Sequence, residues 1–109
     1  MIFLLAAEHP DQVKALLAFS PGEYFDDPRL IRAAAAKVKA PVFATSAQDG
    51  KEIDAAREIL AAVPGEKEQF VPKLGGVHGS STLLRAKNPE GAEPAWAAVL
   101  RFLDRVSAR

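Results

Sequence analysis

The chain predicts an α/β fold: three layers, α/β/α, around a short parallel sheet of about three strands with four helices. Three observations lead there. Short runs with strand character recur at Val13–Phe19, Val42–Thr45 and Gln69–Val71. Segments with apolar residues at helical spacing lie between them. Proline and glycine punctuate the joins at Pro10, Ser20-Pro21-Gly22, Pro41 and Pro64-Gly65. Strands separated by helices of this length imply βαβ crossovers and hence parallel pairing.

The elements follow in order. Met1 to about Glu8 reads as the end of a helix with Ile2, Leu5 and Ala6 on one face, stopped by Pro10. Val13–Phe19 is a near-continuous apolar run, which fits a strand covered from two sides. Asp26-Asp27-Pro28 supplies a cap and a proline at a first helical position, ahead of Ile31, Ala34, Ala35 and Val38. Val42–Thr45 is the second buried strand, and Ser46–Gly50 the loop after it. Ile53, Ala56, Leu60 and Val63 mark the next helix. Gln69–Val71 is a short third strand, followed by a flexible glycine-rich loop over Gly75–Ser81. Trp96, Val99, Leu100 and Leu103 form the apolar stripe of a terminal helix.

With 109 residues the chain is a single domain, 1–109. Apolar residues make up 49% and charged residues 26%, ordinary for a globular chain. Lys plus Arg and Asp plus Glu both number 14 and are scattered, so no field favours nucleic acid or an anionic membrane. The apolar opening lacks a basic leader and soon meets Glu8 and His9, which argues against a signal peptide. No run approaches the ~20 residues of a membrane span. The expectation is a soluble protein, cytoplasmic by default. Two histidines without cysteine argue against zinc, and no phosphate-binding glycine loop is present, so no cofactor or metal is expected.

Asp49 and His78 carry the chemistry. In a parallel sheet, functional groups gather beyond the carboxyl ends of the strands. Asp49 follows the second strand at that end and His78 the third. Seen singly, His78 reads as a surface-loop residue and Asp49 as a turn residue before Gly50. Together, on neighbouring loops, they read as a carboxylate holding an imidazole that takes and returns a proton. Ser20 and Tyr24 follow the first strand at the same end and are candidates for lining a substrate pocket. His9 reads as a surface residue at a helix end. Ser80 and Ser81 lie close to His78 but lack the sharp turn and N–H donors that a nucleophile needs.

From Met1 to Val106 the chain resembles the C-terminal half of an α/β-hydrolase of the dienelactone hydrolase-like branch. Leu4–Leu16 is similar to the end of the helix after the nucleophile and the start of the next strand. Ala40–Gly50 resembles the strand and loop bearing the triad acid, Gly75–Ser81 the histidine loop, and Trp96–Leu103 the closing helix. The order acid, then histidine, is that family's order after its serine. No G-x-S-x-G elbow is present. The resemblance implies an esterase-type acyl hydrolase whose catalytic acid is Asp49 and catalytic histidine is His78. The nucleophile is expected upstream of Met1, and an ester-like small molecule is the expected substrate once that half is supplied. The other expectation is a non-catalytic remnant, a small binding or oligomerising module that pairs copies through the open edge of Val13–Phe19.

Overall fold

The computed structural model describes residues 2–22 and 29–107. Tyr24 and the expected Asp26-Asp27-Pro28 cap lie outside the described residues. The elements run α1 (Ile2–Glu8), β1 (Leu16–Phe19), α2 (Leu30–Ala35), β2 (Val42–Thr45), α3 (Gly50–Ala62), β3 (Lys67–Phe70) and α4 (Ala92–Ser107). A short 3-10 helix spans Gly79–Leu83. The strands form one sheet in the order β1-β2-β3, parallel throughout. This is the α/β class that the alternation of elements predicts.

β2 is central and buried on both faces, which its unbroken Val-Phe-Ala-Thr run anticipates. Val42 and Ala44 face one side, where they pack with Phe3 and Ala6 of α1, Ile31 and Ala35 of α2, and Ile59 and Leu60 of α3. Phe43 faces the other side, against Ala98, Val99 and Phe102 of α4. The Phe43 and Phe102 rings lie 5.5 Å apart at a 44° tilt. Three helices on one face and one on the other make the three layers. Burying a residue such as Phe43 contributes on the order of 2–3 kcal/mol through area alone.

The short ladder sets the strand limits. β1 begins at Leu16 rather than Val13, because pairing starts where β2 leaves Pro41, whose carbonyl accepts from Leu16 N at 2.9 Å. The third strand lies earlier than Gln69–Val71: Val42 pairs with Lys67, so the ladder draws in Lys67 and Glu68 and stops at Phe70. Hydrogen bonding to β2 overrides a weak apolar signal here.

Two helix faces also differ from expectation. In α1 the buried residues are Phe3 and Ala6, while Ile2 and Leu5 are exposed. In α4 the buried face is Ala92, Ala95, Ala98, Val99 and Phe102; Trp96, Leu100 and Leu103 are exposed. Alanines let the helix lie close on the sheet, and one large ring, Phe102, fills the space over Phe43. Trp96 sits at the flank instead, its Nε1 donating to the Leu83 carbonyl at 2.7 Å. No helix among the described residues is long and apolar enough to cross a membrane.

Candidate functional site

The carboxyl ends of the three strands converge on one polar cluster. Ser20 follows β1 directly, with φ at +56°, a conformation that costs a non-glycine residue free energy. Its N–H still reaches the Thr45 carbonyl at 2.7 Å, so the turn is fastened to the end of β2. Ala47 and Asp49 follow β2, and Asp49 is the N-cap of α3: its Oδ1 accepts from Lys51 N at 3.1 Å. That cap places Glu52 in the first turn. Helical side chains lean back toward the N-terminus, so Glu52 reaches over the strand ends.

Glu52 is the hub. Its Oε1 accepts from Ser20 Oγ at 2.7 Å and from Ala47 N at 3.2 Å. Its Oε2 pairs with His78 Nδ1 at 2.9 Å. Ser20 Oγ in turn accepts from Gly79 N at 2.9 Å. Loops after β1, β2 and β3 are thus joined through one carboxylate. The Glu52 side chain is 21% exposed and that of His78 is 64% exposed. Burial raises the Glu52 pKa. The hydrogen bonds from His78, Ser20 and Ala47, with the charge of a protonated His78, outweigh it and leave the carboxyl below its ordinary 4.5. The N-terminal end of α3 also favours a negative charge there.

The pairing expected between Asp49 and His78 is replaced. Asp49 is committed to capping α3, and the carboxylate on His78 belongs to Glu52, three residues on. The signal was present in the sequence. Asp49-x-x-Glu52 is the spacing of a capping box, in which the residue at the third helical position folds back across the helix start. Here that reach is spent on Ala47 N, Ser20 and His78.

Ser20 does border a cleft of about 350 Å3, lined also by Phe3, Leu17, Phe19, Ile31 and Ser80. Its hydroxyl, however, is buried and engaged with Glu52 and Gly79, not presented as a simple pocket wall. Tyr24 lies outside the described residues. His9 is exposed just past α1. The Ser81 carbonyl accepts from Leu84 N within the 3-10 turn.

The histidine loop is fastened from below by Asn88, which is buried. Asn88 Oδ1 accepts from Gly76 N at 2.8 Å and Gly91 N at 3.2 Å, while Nδ2 donates to the Thr82 carbonyl and hydroxyl. Gly75, with φ at +62°, must be glycine: a Cβ there would sit 2.5 Å from Asn88 Oδ1. The loop expected to be flexible is therefore held at several points.

The arrangement can move a proton. An ionised Glu52 only accepts hydrogen bonds, so Nδ1 of a neutral His78 carries the proton. Nε2 is left as the basic nitrogen, with no hydrogen bond among the described residues. No group of three or more His, Cys, Asp or Glu among the described residues could hold a metal ion. Comparison of the chain with family models, with curated proteins and with solved structures found no match.

Proposed function

We propose that this chain supplies the acid–base half of an acyl hydrolase of the α/β-hydrolase kind, acting on an ester-like small molecule. The observation that carries the reading is the 2.9 Å contact between Glu52 and His78 Nδ1, with Glu52 itself held by Ser20 and Ala47 N. Glu52 replaces Asp49 as the orienting acid. His78 Nε2 takes the proton of a serine hydroxyl as that oxygen attacks the acyl carbon. It then returns the proton to the departing alcohol, and Glu52 stabilises the imidazolium between the two steps. Water deacylates the enzyme by the same route in reverse.

The serine would come from a segment outside this chain, seated against β1. Support comes from that edge. Leu16 N and Ser20 N point to β2, so alternation turns the N–H groups of Leu17 and Phe19 outward. No described residue bonds them. The apolar cleft bordered by Ser20 and Ser80 suits an acyl group.

The same edge favours a second reading, a module that joins copies of itself by antiparallel β1–β1 pairing. Leu17 and Phe19 are self-complementary about Ala18, because each residue's outward N–H would meet the other's carbonyl.

The hydrolase reading is tested on the longer chain obtained by extending the reading frame upstream of the Met1 codon, or on a complex with a polypeptide that bears the serine. A short-chain chromogenic ester should be turned over. His78→Ala and Glu52→Gln should each lower kcat by about 10³-fold or more, whereas Asp49→Ala should stay within about tenfold of wild type. Turnover indifferent to His78→Ala would overturn the reading.

A further inference from the structure

Ser20 has the position of a nucleophile and the bonding of something else. It ends a strand, has a positive φ and sits in Ala18-Phe19-Ser20-Pro21-Gly22, small residues flanking a serine two places either side. A serine nucleophile gives its proton to a histidine. Ser20 Oγ gives its proton to Glu52 Oε1 at 2.7 Å, and its lone pair takes Gly79 N at 2.9 Å. It is 3% exposed, so substrate has little access to the oxygen.

We propose that Ser20 is the positioning residue of the site, setting the rotamer of Glu52 and the placement of the histidine loop through a single hydroxyl. The proposal rests on the reading of Glu52 and His78 as the acid–base pair. The geometry makes the hydroxyl a relay between two otherwise separate tasks. On one side it gives Oε1 its shorter hydrogen bond, beside that from Ala47 N, so that Oε2 is the oxygen presented to Nδ1. On the other it anchors Gly79, the residue directly after His78, at φ +74°. Asn88 secures the two ends of that loop at Gly76 and Thr82, but neither bond reaches His78 itself. Glu52 holds the imidazole itself, and Ser20 holds the backbone directly after it. The backbone strain at Ser20 is consistent with this: the turn is bent so that Oγ lies between α3 and the loop, while Ser20 N keeps its bond to Thr45.

The test uses the isotope-labelled chain and NMR, with no substrate, so its outcome is independent of whether an ester is hydrolysed. In wild type the Glu52 carboxyl carbon should titrate below the ordinary carboxylate value, and the His78 nitrogens should report one neutral tautomer with the proton on Nδ1. In Ser20→Ala the Glu52 titration should move up toward the ordinary value and the tautomers should mix. Gly79 amide exchange should also quicken by about tenfold, the scale of one hydrogen bond. Ser20→Cys, a weaker donor, should fall between the two. If Ser20→Ala does not fold, Ser20→Gly removes the same hydroxyl at a backbone angle that glycine tolerates, and is read identically. A folded variant that loses only thermal stability, with Glu52 titration and His78 tautomer unchanged, overturns the proposal. So does covalent labelling of Ser20 by a fluorophosphonate, which would make it a nucleophile.

Discussion

β3 meets its surroundings with Lys67 and Gln69, whereas β1 does so with Leu17 and Phe19. On β3 the polar side chains are fully occupied at home. Lys67 Nζ donates to the Val63 carbonyl, Gln69 Nε2 to the Ile53 carbonyl, and Arg105 of α4 clasps Glu66 and Glu68 at 2.7 Å each. An edge with a lysine and satisfied polar groups discourages further pairing. β1 has no charge, no proline and no bulge along its four residues. Both outer strands carry partly exposed residues, unlike β2, yet only β3 sets polar side chains beside its outward N–H groups. Above the sheet the two edges are tied together, because Ser20 from β1 and His78 from beyond β3 meet on Glu52.

Substitutions at the two edges sharpen this contrast. Leu17→Lys should weaken pairing at the β1 edge, with a copy or with a completing segment, by about 100-fold in Kd, or roughly 3 kcal/mol. Gln69→Lys on β3 should leave association within about twofold. Light scattering and sedimentation measure both, with circular dichroism to confirm the fold. Equal responses at the two edges would break the comparison.

The bridge between the edges is next in size. Glu52→Gln should cost about 1–2 kcal/mol at neutral pH, since charge-assisted hydrogen bonds to Ser20 and His78 weaken. The pH dependence has a definite sign. A carboxyl whose folded pKa is depressed contributes stability above its unfolded value, and that stability is lost as pH falls through the folded value. The gap between wild type and Glu52→Gln should therefore be full above the ordinary 4.5 and close on further acidification. Denaturant melts at a series of pH values measure it. A gap that persists in acid would count against Glu52 as the hub.

Arg105→Ala should have the smallest effect. Its ion pairs with Glu66 and Glu68 are partly exposed and screened, and its guanidinium also lies 5.6 Å from the Phe102 ring. A loss of about 0.5–1 kcal/mol is expected, read as a Tm drop of a few degrees. A loss several times larger would mean that β3 depends on α4 for its place in the sheet.

Much of the fold was legible because its signals are local. Val42–Ala44 is apolar, follows Pro41 and ends at a β-branched threonine, which suits a strand buried on both faces. Pro64-Gly65 ends α3 where backbone chemistry requires. In α4 the expected stripe holds at Val99 but not at Trp96, Leu100 and Leu103, because these are as apolar as the buried residues and only the fit of small alanines against the sheet selects among them. The site was half legible. His78 stands where the strand order puts it, but Asp49 and Glu52 lie three residues apart and either acid satisfies a pattern of carboxylate then histidine.

The sequence by itself determined the alternation of helices and strands, the parallel sheet that alternation demands, and the end of the sheet where polar residues gather. These depend on period, punctuation and chain direction, which are properties of neighbouring residues. Only the tertiary structure decided which carboxylate serves His78, that Ser20 is bound to that carboxylate, and that, among the described residues, the β3 edge is guarded and the β1 edge is not. The first two depend on where α3 begins, because a helix that starts at Gly50 gives Asp49 to the cap and turns Glu52 back over the strands, and the third on which strand each edge side chain packs beside.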